Sequence, residues 1–140
     1  MTRILVDTNV VLDVVLARQP HLDSSLAVWL ACDSGGVEGF LAAHTVTTLH
    51  YIIRQILGPT QTLSALESLL RVFRIAAVDE TTIRVALRSG GADFEDQVAA
   101  AAANQAKCDW IVTRDPKGFR RSEVPATSPP EFVANLSSGR

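Results

Sequence analysis

The sequence contains no apolar run near the roughly 20 residues that a membrane-crossing helix needs, so no membrane-spanning role is expected. Cysteine is scarce: Cys32 and Cys108 stand far apart and outside any CxxC spacing, which argues against zinc or a disulfide and points to two buried, reduced thiols. The three histidines, His21, His44 and His50, show no HxxxH spacing, so a histidine-held metal is not expected. "GG" at 90–91 lacks the lysine and the length of a phosphate-binding loop. With aromatics at only 6%, Trp29 and Trp110 read as core residues rather than as platforms for stacking bases. The first apolar stretch is broken by Asp7 and again by Asp13, unlike an export signal, and a cytoplasmic location is expected.

What remains is a chain of 140 residues, 47% hydrophobic and 20% charged, long enough to bury one sizeable core. Residues 1–136 read as one domain and 137–140 as a frayed tail, with no repeat or linker between. A net charge of −2 argues against wholesale coating by nucleic acid. It leaves room for a local basic rim, for which Arg114, Lys117, Arg120 and Arg121 are candidates. All but two of the 13 basic residues are arginine, whose planar fork suits phosphate.

Hydrophobic spacing gives the order of elements. "RILVD" (3–7) is short, apolar and β-rich, the pattern of a fully buried strand. A short helix over 10–17 follows, and a second helix capped by Asp23 or Ser24 carries Leu26, Val28, Trp29 and Leu30. Further strands are expected at 37–43, 74–78 and 109–113, with a short edge strand in "VPATS" (124–128) because Pro125 lacks a ladder donor. Apolar residues at helical spacing predict helices over 45–57 and 60–73, separated by "GP" at 58–59. Asp79 is expected to cap a helix over 80–88. "SGGADFED" (89–96) reads as a loop leading into the alanine-rich helix "QVAAAAANQAK", and a last helix covers 129–136 with proline in its first turn. Strands alternating with helices predict an α/β fold: a central, mostly parallel sheet of four or five strands with helices on both faces.

In such sheets sites form at the carboxyl ends of the strands, where strand order reverses. Asp7 ends the first strand, Asp115 follows the fourth, and Asp93, Glu95 and Asp96 precede or open the alanine-rich helix. Acids gathered that closely disfavour joint ionisation, and a divalent cation relieves the repulsion. Oxygen donors in an incomplete shell suit Mg²⁺ or Mn²⁺ and metal-assisted phosphodiester hydrolysis. Each acid has a plainer reading. Asp7 and Asp93 can cap helices, Glu95 and Asp96 sit well at a helix start, and Asp115 before Pro116 can begin a turn. Asp13, two turns into the first helix, is expected to face solvent. A phosphatase with Asp7 as nucleophile wants a second acid two residues on, and Asn9 stands there instead.

In "ILVDTNVVLD", "DFEDQVAAAAA" and "WIVTRDPKGF", with "LLRVFRIAAVD" and "VPATSPPEF" in order beside them, the chain resembles the PIN-domain family and its VapC-like bacterial toxin branch. The resemblance spans nearly the whole chain. It implies a Mg²⁺- or Mn²⁺-dependent endoribonuclease, the toxin of a toxin–antitoxin pair, that hydrolyses RNA phosphodiesters with a water activated by the metal. It further implies an antitoxin protein partner and a homodimer. Asp7, Asp96 and Asp115 match the family's acids, with Asp93 near enough to assist. Asn9 and Thr113 match polar positions that line the pocket, and Arg114, Arg120 and Arg121 are expected at the phosphate. One departure stands out: the glutamate usual early in the third helix falls on Thr48 here. His50, two residues on, points about 200° round the helix. A catalytically quiet PIN-like module that binds RNA or protein is the alternative that this departure raises.

Overall fold

Short, largely apolar runs become five parallel strands, and their order places the site. In the computed structural model, which describes residues 1–138, these are β1 (Arg3–Val6), β2 (Glu38–Ala42), β3 (Arg74–Ala76), β4 (Trp110–Val112) and β5 (Ala126–Thr127). The helices are α1 (Thr8–Val15), α2 (Leu22–Asp33), α3 (Ala43–Val72), α4 (Glu80–Ser89), α5 (Phe94–Gln105) and α6 (Pro129–Ser137), with a 3₁₀ turn at Pro116–Phe119. The sheet runs β3-β2-β1-β4-β5, so β1 is central and the order reverses between β1 and β4. Leu5 lies level with Phe40 on one side and Ile111 on the other.

Alternation along the strands feeds two cores. Ile4, Val6, Leu41 and Val112 pack among residues of α1, α2, α3 and α6. Leu5, Phe40, Ala42 and Ile111 pack against Ala99, Ala102 and Ala103 of α5. Ile4, Leu5 and Val6 are essentially inaccessible, and each such side chain contributes roughly 1.5–3 kcal/mol on leaving water. Alanines on α5 bring that helix close to the sheet, which sets the distance from its first turn to the end of β1. Both cysteines are free and buried, as expected, and burial pushes the Cys32 thiol up to about 12 and the Cys108 thiol up to about 11.

Several boundaries differ from expectation for local reasons. α1 starts at Thr8 rather than residue 10, because Asp7 itself caps it. α2 starts at Leu22 after His21, with no side-chain cap; neither Asp23 nor Ser24 caps it, and Asp23 lies in its first turn. α3 is one run in hydrogen bonding, yet Gly58 (φ 83°, ψ 172°) leaves the helix ahead of Pro59, so the expected break at 58–59 is present as a kink. α5 begins at Phe94, three residues before the expected Gln97, because the Asp93 side chain accepts from the Asp96 N–H. Asp79 caps α4 in a reciprocal capping box with Thr82. Ser137, expected in a frayed tail over 137–140, closes α6 instead, and residues 139–140 of that expectation lie outside the described residues.

Gly39 of β2 is required by a close approach. A Cβ there would sit 2.5 Å from Cys32 Sγ and 2.9 Å from Phe73 Cδ1. Gly39→Ala is expected to cost about 1–3 kcal/mol in urea denaturation, and Cys32→Ala added to it should return part of that loss. Unchanged stability in Gly39→Ala would contradict this packing.

Candidate functional site

Asp7 is held at three points. Its N–H donates to the Val112 carbonyl at 3.0 Å, which keeps the end of β1 pinned to β4. Its Oδ1 accepts from the Thr8 N–H at 2.8 Å, and its Oδ2 accepts from the Thr113 hydroxyl at 2.7 Å. Asp7 is therefore a helix cap and also a fixed carboxylate at the switch point of the sheet. Burial raises its pKa above the ordinary 3.8; the bonds from Thr113 and Thr8 oppose this, and the charges of Asp93 and Asp115 add to it.

Asp96 meets the same crowding from α5. Burial first, then the charges of Asp7, Asp93, Asp115 and Glu95, push its carboxyl up to about 7. Asp93 is exposed, and its Oδ1 caps α5 through the Asp96 N–H at 3.2 Å. Asp115 is exposed at the start of the 3₁₀ turn, with its N–H donating to Thr113 Oγ1 at 3.1 Å. Gly118 lies between two of these acids. A Cβ on it would stand 3.2 Å from both Asp96 Oδ2 and Asp115 Oδ2, so the missing side chain keeps open the space that the two carboxylates face. No sequence pattern had singled out Gly118; its role depends on where the 3₁₀ turn brings it.

The acids thus feel one another at the carboxyl ends of β1 and β4. Among the described residues, however, no three of them form a group drawn tightly enough to hold one ion. Asp7 and Asp93 are both engaged as helix caps. The donor set itself suits a hard cation. Mg²⁺ is commonly held by one or two carboxylates with waters completing its shell, and Asp96 and Asp115 across Gly118 supply such a pair beside Asp7.

The remaining expected residues divide. Thr113 is buried and links Asp7 to Asp115. Asn9 Oδ1 accepts from the Arg114 N–H at 3.3 Å. The Arg114 side chain, expected at the phosphate, is engaged with Asp13: its Nε faces Asp13 Oδ2 at 3.0 Å. Asp13 is a correction, since it is 0% exposed rather than solvent-facing. Arg121 Nη1 donates to the carbonyls of Ser89 and Gly90 at 3.3 and 3.1 Å and so closes the C-terminus of α4. Arg120 Nε donates to the Lys117 carbonyl at 3.3 Å, and the residue is exposed. Thr48 is half-buried, with its hydroxyl turned to the His44 carbonyl at 3.4 Å, a long bond, and His50 is exposed. From the acids a cleft of about 1030 Å³ opens between α4, α5 and the 3₁₀ turn, rimmed by Arg88, Lys117, Arg120 and Arg121.

The Asp96 shift has a consequence for stability. A carboxyl whose folded pKa exceeds its ordinary 3.8 favours the fold most when protonated; that contribution is whole below 3.8 and is lost as pH rises through about 7. With EDTA present, Asp96→Asn should melt above wild type at pH 8 by roughly 3 °C, the effect of about 1 kcal/mol in a domain of this size after discounting for solvent screening. The difference should close towards pH 4. An equal difference at both pH values would contradict the crowding of acids.

A PIN-domain family model matches residues 3–117. No curated protein matches the chain. Among solved structures it is similar to FitAcB from Neisseria gonorrhoeae, at 25% identity over 90% of this chain and 97% of that one, with a TM-score of 0.69. It is also similar to VapBC2 from Rickettsia felis bound to a promoter DNA fragment, at 15% identity over 91% and 98%, TM-score 0.70. A third is Mycobacterium tuberculosis VapC20, a sarcin–ricin loop cleaving toxin, at 14% identity over 77% and 86%, TM-score 0.61. The matched span holds Asp7, Asp93, Asp96 and Asp115 together with the first four strands of the sheet, and the chain belongs to the PIN domain family.

Proposed function

We propose that this PIN domain is a metal-dependent endoribonuclease, the toxin of a toxin–antitoxin pair, acting on RNA phosphodiesters in the cytoplasm. The observation that carries the reading is the placing of Asp7, Asp93, Asp96 and Asp115 at the switch point, where burial first and then the neighbouring charges raise the Asp96 carboxyl to about 7. Mg²⁺ or Mn²⁺, when bound, supplies a water of lowered pKa and polarises a phosphoryl oxygen. Asp7, Asp96 and Asp115 would hold it, with Asp93 assisting from the cap of α5. Thr113 and Asn9 keep Asp7 and the 113–115 segment in place. Lys117 and Arg120, exposed on the rim of the cleft, offer charge to the RNA backbone; Arg121, although tied to α4, borders the same space. The likeness to FitAcB and VapBC2 supports an antitoxin protein partner; the homodimer rests on the family resemblance alone.

One observation favours a second reading, a PIN-like module that binds RNA or protein without cutting. Thr48 stands where the resemblance expects a glutamate, and its hydroxyl engages its own helix. Cleavage of labelled RNA with Mn²⁺, Mg²⁺ or EDTA separates the two readings. On the nuclease reading, wild type cuts with either metal and not with EDTA. Asp7→Asn then loses more than the roughly 10–100-fold typical of removing a supporting group, and Thr48→Glu cuts faster at low Mn²⁺. Equal activity in wild type and Asp7→Asn would sink the nuclease reading, and metal-independent RNA binding with no cleavage in wild type or Thr48→Glu would favour the second.

Gly118→Ala gives a sharper check of the same site. The position is exposed, so stability should stay within about 0.5 kcal/mol of wild type. The added methyl should nevertheless weaken Mn²⁺ binding in calorimetry. Unaltered Mn²⁺ affinity would mean that the gap between Asp96 and Asp115 takes no part.

A further inference from the structure

Asp13 is a carboxylate with no exposure at all, in a molecule whose other acids all reach solvent to some degree. Burying an ionised carboxylate is costly unless it is paired and hydrogen-bonded. One partner is local, just past α1, and two come from α2 and from the turn after β4. Ser25 of α2 donates its hydroxyl to Oδ2 at 2.9 Å. Arg18, just past α1, donates Nε–H to Oδ1 at 3.1 Å and Nη2–H to the Asn9 carbonyl at 3.2 Å. Arg114 faces Oδ2 through its Nε at 3.0 Å, as an ion pair rather than an aligned hydrogen bond.

The third partner matters because of its neighbours. Arg114 lies between Thr113, which holds Asp7, and Asp115, one of the crowded acids. The segment from 113 to 115 is tied to α1 and its cap at three successive points: Thr113 to Asp7 Oδ2, the Arg114 N–H to Asn9 Oδ1, and the Arg114 side chain to Asp13. Of these, the last is the contact between opposite full charges, and its carboxylate has no water to turn to. α1 is a rigid lever between the two ends: Asp7 caps it and Asp13 lies within it, so a fixed Asp13 fixes Arg114 relative to Asp7. We infer that Asp13 is a positioning residue for the acidic site, setting where Asp115 stands relative to Asp7 by gripping the Arg114 side chain.

This inference rests on the nuclease reading for its effect on rate, but not for its effect on structure. The test compares wild type with Asp13→Asn, Arg114→Gln, the double variant and Gly39→Ala, the last destabilising the sheet without touching these contacts. Arg114 is partly exposed, so Arg114→Gln remains informative if Asp13→Asn fails to fold. The first readout is the NMR order parameter of the Asp115 amide. It should fall from the rigid-backbone range of about 0.85 to below about 0.6 in Asp13→Asn and Arg114→Gln, and stay at the wild-type value in Gly39→Ala. The second is RNA cleavage, where kcat should drop about 10–100-fold, as for other supporting groups around a metal site, with KM nearly constant. The double variant should lose no more than the worse single, as a shared path demands. Wild-type order at Asp115 in both single variants would overturn the inference, as would an equal loss of order in Gly39→Ala. If the wild-type chain cuts no RNA, the nuclease reading falls while the order parameters alone decide the positioning role.

Discussion

Like charges brought to the end of one central strand set the terms for everything around them. Asp7 stands at the carboxyl end of β1, where the sheet reverses its order, and Asp93, Asp96 and Asp115 arrive there from α5 and from the turn after β4. Their repulsion works against folding, and the surrounding structure offsets it with specific donors. Asp7 takes the Thr8 amide and the Thr113 hydroxyl, and Asp93 takes the first turn of α5. Asp96, half-buried among its neighbours' charges, has its carboxyl raised by burial first to about 7. On the proposed nuclease reading, hard oxygen donors gathered at one strand end are what a divalent cation would use.

Rigidity reaches that cluster by two routes. The first is the sheet itself, with the buried Ile4, Leu5 and Val6 fixing β1 between β2 and β4. The second is polar and runs through α1: the caps at Asp7, the Asn9 side chain, and the buried Asp13 with its two arginines. The alanine face of α5 completes the arrangement by letting that helix approach the sheet closely enough for Asp96 to feel Asp7. A bulkier face there would hold the acids apart however well each was placed.

Much of this was legible in the sequence. Strand-like and helical spacing gave the order of elements, the parallel sheet and the break at Gly58-Pro59. The acids at strand ends were visible because charge terminating an apolar run is conspicuous. Asp13 was not legible. A charge two turns into a helix reads as solvent-facing, and nothing local reveals Ser25 and Arg114 arriving from other segments. The partners of Arg114 and Arg121 were hidden for the same reason: only tertiary structure brings Asp13 to one and the end of α4 to the other. Gly118 carried no signal at all, since its importance lies in the side chain it lacks. The start of α5 was the opposite case. Asp93 is readable as a cap from sequence alone, and its side chain does accept from the Asp96 N–H.

The proposed nuclease depends on Asp7, Asp96 and Asp115 sharing one cation, with Asp93 beside them. Diffraction from a crystal soaked in Mn²⁺ tests it most directly, because anomalous scattering locates the ion without reference to activity. The account predicts a peak among Asp7, Asp96 and Asp115, at coordination distance from at least two of the three and lost in Asp96→Asn. Manganese bound elsewhere on the molecule, with no density between these carboxylates at saturating concentration, would contradict it.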